Sequence, residues 1–419
     1  MKKNNKHIFF VRADNDLDHL IPIIDLIFEN KKNINFEIVT RDPLRDFSDD
    51  YRIKYLKKKI EFKISDLIIL NNKSFSSIQV RFFRSIYWKL LYSKNYFLSK
   101  LYSFICIYIH KYLIILKNKK ESKILLNDVF IEKPSTITCD NSVDEFVLKC
   151  KKYCVQNKIK LIAFSHSIPH VNSKFMKSTF SLFLKKNIST SPLSIFDKIF
   201  IPNDIIKAKL LYENVQANSL EIIGSPRFFD RWINKLVKMS TNNIIKKSNS
   251  RKNILLIASK MQEHINSREI FLLLNSLIND SRFNLIIKPH TRNGRTGLPK
   301  KIISNSIVEY NKSTVELVEE SDLVVFWSTS FIYHVISRNK PIFLIKYVYS
   351  LPFDFEKYIS SWNIYNRNDF VEKINSFYEN NSSWKKIYKN QIKEFRILKN
   401  KMVVENIDNT KTKLDSNYE

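Results

Sequence analysis

Glycine is almost absent from this chain, which has three glycines among 419 residues. No Gly-x-Gly-x-x-Gly turn is present, so the sequence lacks the fingerprint of a classical NAD site. Because glycine is so scarce, a glycine that follows an apolar run indicates a backbone need for positive φ or for close approach. Gly224, in the segment EIIGSPRFFD, occupies such a position.

Cysteines and long apolar runs are also scarce. The four cysteines show no Cys-x-x-Cys spacing, and Cys150 and Cys154 are one helical turn apart. This spacing predicts buried thiols rather than a disulfide or a metal site. No stretch offers the roughly 18 apolar residues of a membrane-spanning helix. The N-terminal segment MKKNNKHIFFVRADND has too short an apolar run for a signal peptide, which predicts a cytoplasmic protein.

Acidic residues are outnumbered 41 to 70 by lysine and arginine, which gives a net charge of +29. Such a charge favours anionic partners such as acidic lipid, nucleic acid or polyphosphate. Residues 81–119 combine basic and aromatic side chains. Their composition suits a helix lying on an anionic membrane and equally a helical insertion packed on the first domain. Nucleic acid is not favoured, because no recognised binding module occurs and the basic residues are spread along the chain.

Apolar runs alternate with helical patterns through both halves of the chain. The first half contains HIFFV, NFEIVT, KLIAF, KIFI and LEII, and the second contains ILLIAS, FNLIIK, DLVVFW and PIFLI. The alternation predicts parallel α/β sheets. Residues 239–253 are polar and predict a linker between an N-terminal Rossmann-like domain, 1–238, and a C-terminal one, 254–419. Two such domains facing each other across a cleft form the architecture called GT-B.

Two clusters of polar residues follow predicted strands of the second half. Lys288, His290 and Arg292 end the run IIKPHTRNG, at the carboxyl end of a strand, where open α/β sheets bind their ligands. Some forty residues later, DLVVFW is followed by Ser328, Thr329 and Ser330 at the start of a helix. Hydroxyls and free N–H groups at such a point suit either a phosphate or an ordinary helix cap. The two clusters together favour an anion site.

In the first half, histidines follow the strand KLIAF in the segment SHSIPH. His166 and His170 are four residues apart, but Pro169 opposes a helix through both, and no acidic third ligand is nearby. The segment therefore predicts an acid, a base or a phosphate contact rather than a metal site.

The segment RADNDLDH, between the first strand and the first predicted helix, offers further candidates. Asp16 and His19 are candidate bases for an acceptor hydroxyl. Asp14, Asp16 and Asp18 could also suggest a metal motif, but that motif belongs to a different, single-domain architecture. Asp18 has a simpler alternative reading as a helix cap.

The segments FSHSIPH, GSPRFFD, IKPHTRN and SDLVVFWSTSFIYHVISRNKPIFL together resemble the CDP-glycerol glycerophosphotransferase family of teichoic-acid polymerases. They are also similar to bacterial sialyltransferases and capsule Kdo transferases. The resemblance implies that His166 lies at the reacting centre and that His290 contacts the donor nucleotide or its phosphate. It further implies that Thr329 and Ser330 bind phosphate, and that Arg227, after Gly224, faces the donor.

The sequence as a whole predicts a transferase of surface-polysaccharide biosynthesis, peripheral on the inner membrane face. It would move a sugar or polyol-phosphate group from a nucleotide donor, with cytidine favoured, to a glycan or lipid-linked acceptor. A base activates the acceptor hydroxyl, and the cationic and hydroxyl groups stabilise the departing nucleotide, so no metal or other cofactor is expected. The alternatives are a non-hydrolysing sugar-nucleotide epimerase and a non-catalytic nucleotide-binding or membrane scaffold protein.

Overall fold

The computed structural model describes residues 6–30, 35–41, 47–67, 126, 130, 132–165, 191–240, 251–257, 265–289, 298, 300–309, 312–349, 355 and 358–418. The chain divides into two compact units. The first comprises Met1–Ile168, Ile188–Arg227 and Val404–Glu419, and the second comprises Pro169–Asn187 and Phe228–Val403. Residues 81–119, predicted to be either a membrane-surface helix or a helical insertion packed on the first domain, lie outside the described residues.

The first unit contains a seven-stranded parallel sheet with the order β3-β2-β1-β4-β5-β6-β7. Its strands are β1 Lys6–Val11, β2 Asn35–Thr40, β3 Lys63–Asp66, β4 Thr136–Asp140, β5 Lys160–Phe164, β6 Lys198–Ile201 and β7 Leu220–Ile222. The strand order reverses between β1 and β4, and open parallel sheets bind ligands at the carboxyl side of such a point.

Helices connect these strands, and capping residues fix where several of them begin. The described helices are α1 Asp14–Asn30, α2 Tyr51–Lys57, α3 Glu145–Asn157 and α4 Asp204–Tyr212, with short 3-10 turns at Phe47–Asp49, Pro192–Ile195, Ala217–Ser219 and Pro226–Phe228. Asp144 accepts a hydrogen bond from Val147 N at the start of α3, and Asn203 accepts one from Ile206 N at the start of α4. Each side chain satisfies a backbone donor that a helix start leaves open.

Helix α1 begins five residues earlier than the sequence pattern predicts. Asp14, Asp16 and Asp18 are therefore helical rather than loop residues, and the reading of Asp18 as the cap of the first helix is wrong. The physical reason is Asp16, whose Oδ2 accepts hydrogen bonds from the N atoms of Arg12 and Ala13, at 2.6 and 3.2 Å. A carboxylate in the first turn also interacts favourably with the helix dipole.

The second unit contains a six-stranded parallel sheet with the order β10-β9-β8-β11-β12-β13. Its strands are β8 Lys252–Ile257, β9 Phe283–Lys288, β10 Ile307–Val308, β11 Leu323–Phe326, β12 Ile342–Ile345 and β13 Asn363–Ile364. The described helices are α5 Asp230–Ser240, α6 Ser267–Ile278, α7 Lys300–Ser304, α8 Thr314–Glu320, α9 Ile332–Ser337, α10 Arg367–Glu379 and α11 Ser382–Leu398. A 3-10 turn at Lys346–Val348 and a π-helical turn at Lys399–Val403 complete it.

The central strands of the second sheet are buried on both faces. All four residues of β11 and all four of β12 have no solvent exposure. Parallel strands covered by helices on both sides carry continuous apolar runs, which is the pattern that predicts these strands from the sequence.

The last helix, α12 Ile407–Tyr418, belongs to the first unit. Tyr418 is 1% exposed, and its hydroxyl lies 2.9 Å from Thr138 Oγ1 on β4. Its ring stacks on Phe9 and meets the edge of His7, both on β1. The end of the chain therefore completes the core beneath the first sheet.

Within the part of the chain described here, helices long and apolar enough to cross a bilayer are absent. The cysteine prediction is confirmed for three of the four residues, since Cys139, Cys150 and Cys154 are free and buried. Burial raises the pKa of each thiol, which keeps these groups protonated at neutral pH.

Candidate functional site

A small, open pocket lies at the carboxyl ends of β5, β6 and β7 in the first unit. His19 from α1 lines it together with Ser165, Pro202, Gly224, Ser225 and Pro226, which follow these strands. The structure thus brings together two sequence-predicted residues, His19 and Gly224, that are far apart in the chain. His166 is the residue after Ser165 and lies outside the described residues.

Gly224 shapes one wall of this pocket. Its φ of 75° lies in the left-handed region, which confirms that this position needs a conformation that glycine adopts without strain. The chain then enters the turn Pro226–Phe228, which brings Arg227 against α1. The side chain of Arg227 is 12% exposed.

Arg227 contacts two neighbouring residues of α1. Its Nη2 lies 3.1 Å from Asp18 Oδ2, and its Nη1 lies 3.3 Å from His19 Nε2. A guanidinium can only donate hydrogen bonds, so His19 Nε2 is the acceptor. This contact corresponds to the neutral imidazole that carries its proton on Nδ1. The ring is 6% exposed and stacks beside Phe164 at the end of β5, with centroids 6.4 Å apart.

Asp18 is held from the other side by Arg52, a buried residue of α2. Arg52 Nη1 donates to Asp18 Oδ1, and Arg52 also forms a two-point ion pair with Asp50, with distances of 2.9 and 2.7 Å. Burial alone lowers the pKa of Arg52, but the two carboxylates raise it well above its ordinary value. Burial likewise raises the pKa of Asp50, and the hydrogen bonds and charge of Arg52 bring it below its usual value.

Asp16, the other sequence candidate for a base, faces the backbone at the start of α1. It has no solvent exposure, and its Oδ2 is occupied by the two N–H groups that precede the helix. Nearby, at the reversal between β1 and β4, Arg12 donates to Asp140 and to Ser142 Oγ. Sequence reasoning missed Arg12 and Arg52, although Arg12 stands directly after the strand HIFFV.

In the second unit, Lys288 ends β9 and is 9% exposed. Its Nζ donates to the carbonyl oxygens of Lys312 and Glu309, at 2.6 and 3.3 Å. Burial lowers the pKa of Lys288 to about 8, although Glu309 and Glu316 act in the opposite direction. The lysine therefore ties the end of β9 to the segment before α8. His290 and Arg292 lie outside the described residues.

The hydroxyl cluster Ser328, Thr329 and Ser330 follows β11 and precedes the six-residue helix α9. Thr329 Oγ1 accepts a hydrogen bond from Phe331 N at 3.2 Å, and Ser328 hydrogen-bonds with the Tyr349 phenol.

The sheet brings this cluster and Lys288 to the same side, at the carboxyl ends of its strands. The strand order reverses between β8 and β11, so the hydroxyls stand where open α/β sheets bind ligands. Both β9 and β11 pair in parallel with β8, which places their carboxyl ends about 10 Å apart along the same edge.

Among the residues that the structure describes, no group of three or more His, Cys, Asp or Glu side chains could hold a metal ion. The described side chains at the carboxyl ends of the two sheets provide hydroxyl groups, cations, carboxylates and the imidazole of His19.

No protein-family model matches the sequence, and no curated protein matches it. Solved structures match along almost the whole chain. UDP-GlcNAc 2-epimerase from Neisseria meningitidis bound to UDP-GlcNAc is 13% identical, covers 98% of both chains and has a TM-score of 0.58. The wall teichoic acid polymerase TagF is 11% identical, with 99% of this chain and 89% of that chain covered and a TM-score of 0.54. The glycotransferase of kitacinnamycin is 10% identical, with 99% and 98% covered and a TM-score of 0.52.

At these identities the likeness concerns the fold alone. Two parallel sheets with connecting helices, similar to epimerases and transferases over the whole chain, confirm the α/β class and the GT-B fold that the sequence predicts.

Proposed function

We propose that this protein is a nucleotide-donor-dependent glycosyl- or polyol-phosphate transferase of surface-polysaccharide biosynthesis. The proposal rests on one observation. In a GT-B fold, hydroxyl groups and a lysine lie at the carboxyl ends of the second sheet's strands, where the strand order reverses. Three of the similar structures are complexes with UDP or UDP-GlcNAc, and others are a teichoic acid polymerase and a glycotransferase. A nucleotide-activated donor is the ligand that these similarities favour.

The donor phosphate would bind at the end of β11. Ser328, Thr329 and Ser330 offer hydroxyl donors there, and His290 and Arg292 would add a hydrogen bond and a charge from the segment after β9. Lys288 is already bound to two carbonyl oxygens. We therefore assign Lys288 to shaping this edge and to contributing positive charge behind the phosphate. Charge that develops on the departing nucleotide would be stabilised by these fixed donors.

The acceptor would bind at the pocket of the first unit, with His19 as the base. In the proposed step, the acceptor hydroxyl replaces Arg227 as the partner of His19 Nε2 and gives its proton to that nitrogen. The acceptor oxygen forms a bond to the transferred group, and the bond between that group and the nucleotide phosphate breaks. His166, next to the pocket residue Ser165, is the alternative base. Asp16 is assigned to the start of α1 because its Oδ2 already accepts two backbone hydrogen bonds.

The acceptor itself is proposed to be a lipid-linked or growing surface glycan. The similarity to the wall teichoic acid polymerase and the high positive charge of the chain support this choice. Segment 81–119 is the candidate contact with an anionic membrane, and a helical insertion packed on the first domain is the equal alternative.

A non-hydrolysing sugar-nucleotide epimerase is the second candidate. It is favoured by one specific observation, namely that several of the similar structures are UDP-GlcNAc 2-epimerases. The two functions differ in one requirement, because an epimerase needs no acceptor.

The test is turnover of CDP-glycerol, CMP-sialic acid and UDP-GlcNAc, each with and without a lipid-linked glycan acceptor. A transferase releases nucleotide in an acceptor-dependent manner, and Thr329→Ala with Ser330→Ala weakens use of the donor. Ser306→Ala, which removes a hydroxyl at the start of β10, is the matched control. Conversion of UDP-GlcNAc to its C2 epimer without acceptor would establish the second candidate. If no donor is turned over, the remaining candidate is a non-catalytic nucleotide-binding or membrane scaffold protein.

A further inference from the structure

Arg52 is a buried cation on α2, 34 residues from the α1 residue that it contacts. Helix α2 starts after Asp50, which caps it by accepting from Arg52 N and which also binds the Arg52 guanidinium at two points. Asp18 supplies the second carboxylate. A buried guanidinium is tolerated only when carboxylates and hydrogen bonds replace its water, and here two carboxylates do so.

Asp18 joins this ion pair to the pocket. Its Oδ1 accepts from Arg52 and its Oδ2 from Arg227, so both oxygens are engaged and the carboxylate orientation is fixed. Arg227 in turn donates to His19 Nε2. Ion pairs and hydrogen bonds thus form one continuous path from Asp50 through Arg52, Asp18 and Arg227 to the imidazole of His19.

Two carboxylates, of Asp50 and Asp18, and two guanidinium groups, of Arg52 and Arg227, make up this path. A proton added to His19 would place a further positive charge beside Arg227. A proton on Nε2 would also point at an arginine that can only donate. A hydrogen bond from Arg227 to Nε2 therefore requires the form with the proton on Nδ1.

We propose that Arg52 is a positioning residue for His19. By fixing Asp18, it fixes Arg227, and Arg227 donates to Nε2 and so holds the imidazole as the neutral Nδ1–H tautomer until an acceptor hydroxyl takes its place. The tautomer follows from the geometry, whereas its catalytic meaning rests on the proposed role of His19 as the base. A base must present an unprotonated ring nitrogen to the acceptor hydroxyl, and in this tautomer Nε2 is unprotonated.

Two other arginine–carboxylate pairs, those of Arg282 and Arg338, lead to a different kind of group. Arg282 binds Asp280 at two points and then Asn375, and Arg338 binds Glu319 and then Asn234. Their paths lead to an amide, which has no tautomer to select. Arg282, on the turn before β9, therefore offers a matched control for the loss of an ion-paired arginine.

The experiment is long-range proton–nitrogen NMR of the full chain labelled with ¹⁵N-histidine. His19→Gln identifies the His19 signals, and the nitrogen shifts report which ring nitrogen carries the proton. The wild type is expected to show Nδ1–H. In Arg52→Met, the ratio of Nδ1–H to Nε2–H is expected to fall about tenfold, equivalent to ~1.4 kcal/mol of coupling between neighbours in one ion-pair network. Arg227→Gln should produce at least the same change.

Two further variants keep the result interpretable. Arg282→Met is expected to leave the His19 signals unchanged, and Asp18→Asn should reproduce the Arg52→Met effect with a smaller change in volume. If Arg52→Met unfolds the chain, Asp18→Asn decides the question. A wild-type His19 protonated on Nε2, or folded Arg52→Met and Asp18→Asn variants with the wild-type ratio, would overturn the proposal.

Activity separates this inference from the proposed function. If His19 is the base, Arg52→Met lowers kcat more than it changes KM and shifts the pH profile of kcat, while Arg282→Met does neither. A tautomer change without any effect on turnover supports the positioning role and removes His19 from catalysis.

Discussion

Substitution of Tyr418 tests whether the C-terminal helix α12 packs in the core of the first unit. This residue is the next to last in the chain, yet it is 1% exposed. Its ring lies 5.7 Å from the ring of Phe9 and 5.4 Å from that of His7. Its hydroxyl lies 2.9 Å from Thr138 Oγ1. Replacement of Tyr418 therefore perturbs the core rather than a chain end.

The magnitude follows from these contacts. Removing a buried aromatic ring costs about 3–5 kcal/mol, and one neutral hydrogen bond contributes roughly 1 kcal/mol. We expect Tyr418→Ala to destabilise the first unit by about 4 kcal/mol and Tyr418→Phe by about 1 kcal/mol. Tyr212→Ala is the matched control, because Tyr212 lies in the same unit and is 72% exposed.

The assay must report on the first unit alone, since two units need not unfold together. Trp232, Trp327, Trp362 and Trp384 belong to the second unit and Trp88 to the first, so tryptophan fluorescence in a Trp88→Phe background is the internal control. Hydrogen exchange of β1 and β4 measures the first unit and should accelerate strongly in Tyr418→Ala. Exchange no faster than in Tyr212→Ala would refute the packing of α12 described above.

Three further predictions concern residues of the candidate site. Lys288 has a pKa of about 8 in the folded chain, and its proton remains bound to about pH 10.4 in the unfolded chain. Between these pH values the unfolded state binds more protons than the folded state. The free energy of unfolding of the wild type, relative to that of Lys288→Met, should therefore rise between pH 8 and 10 in urea titrations. A difference in unfolding free energy that does not change with pH would contradict this. Gly224→Ala should cost about 1–2 kcal/mol, because alanine disfavours a φ of 75°, and thermal unfolding indistinguishable from wild type would exclude that strain. Asp16→Ala should destabilise α1 by about 1 kcal/mol, because it removes the acceptor of two backbone hydrogen bonds. Asp16→Asn keeps an acceptor oxygen and should retain turnover. Loss of turnover with intact stability in Asp16→Asn would restore Asp16 as a candidate base.

Sequence reasoning succeeds for this fold where burial on both faces produces continuous apolar runs. The strands β8, β9, β11 and β12 follow directly from such runs, and the helix Thr314–Glu320 follows from its pattern. It fails where an element is short or mostly polar. The strand Lys63–Asp66 has the sequence KISD, and α12 buries little apolar surface besides Leu414 and Tyr418. A helical pattern specifies an apolar face but not the surface that the face covers.

The residues of the candidate site also fall into two groups, those that the sequence predicts and those that it does not. Gly224, Lys288 and the hydroxyls after β11 could be found because they directly follow apolar runs. Arg52 could not, because its importance depends on an ion pair with Asp18 that forms only when α1 and α2 pack together. The tautomer of His19 depends on Arg227, which is 208 residues away in the chain. The roles of His166, His290 and Arg292 stay predictions.

The central claim is that the second unit binds a nucleotide-activated donor. It is tested most directly by calorimetric titration of CMP, CDP, UDP and GDP into the full chain and into His290→Ala. The account predicts that a cytidine nucleotide binds the wild type at one site per chain and binds His290→Ala at least tenfold more weakly. Preference for a uridine nucleotide would contradict the predicted donor, and no binding of any of the four nucleotides at millimolar concentration would contradict the claim itself.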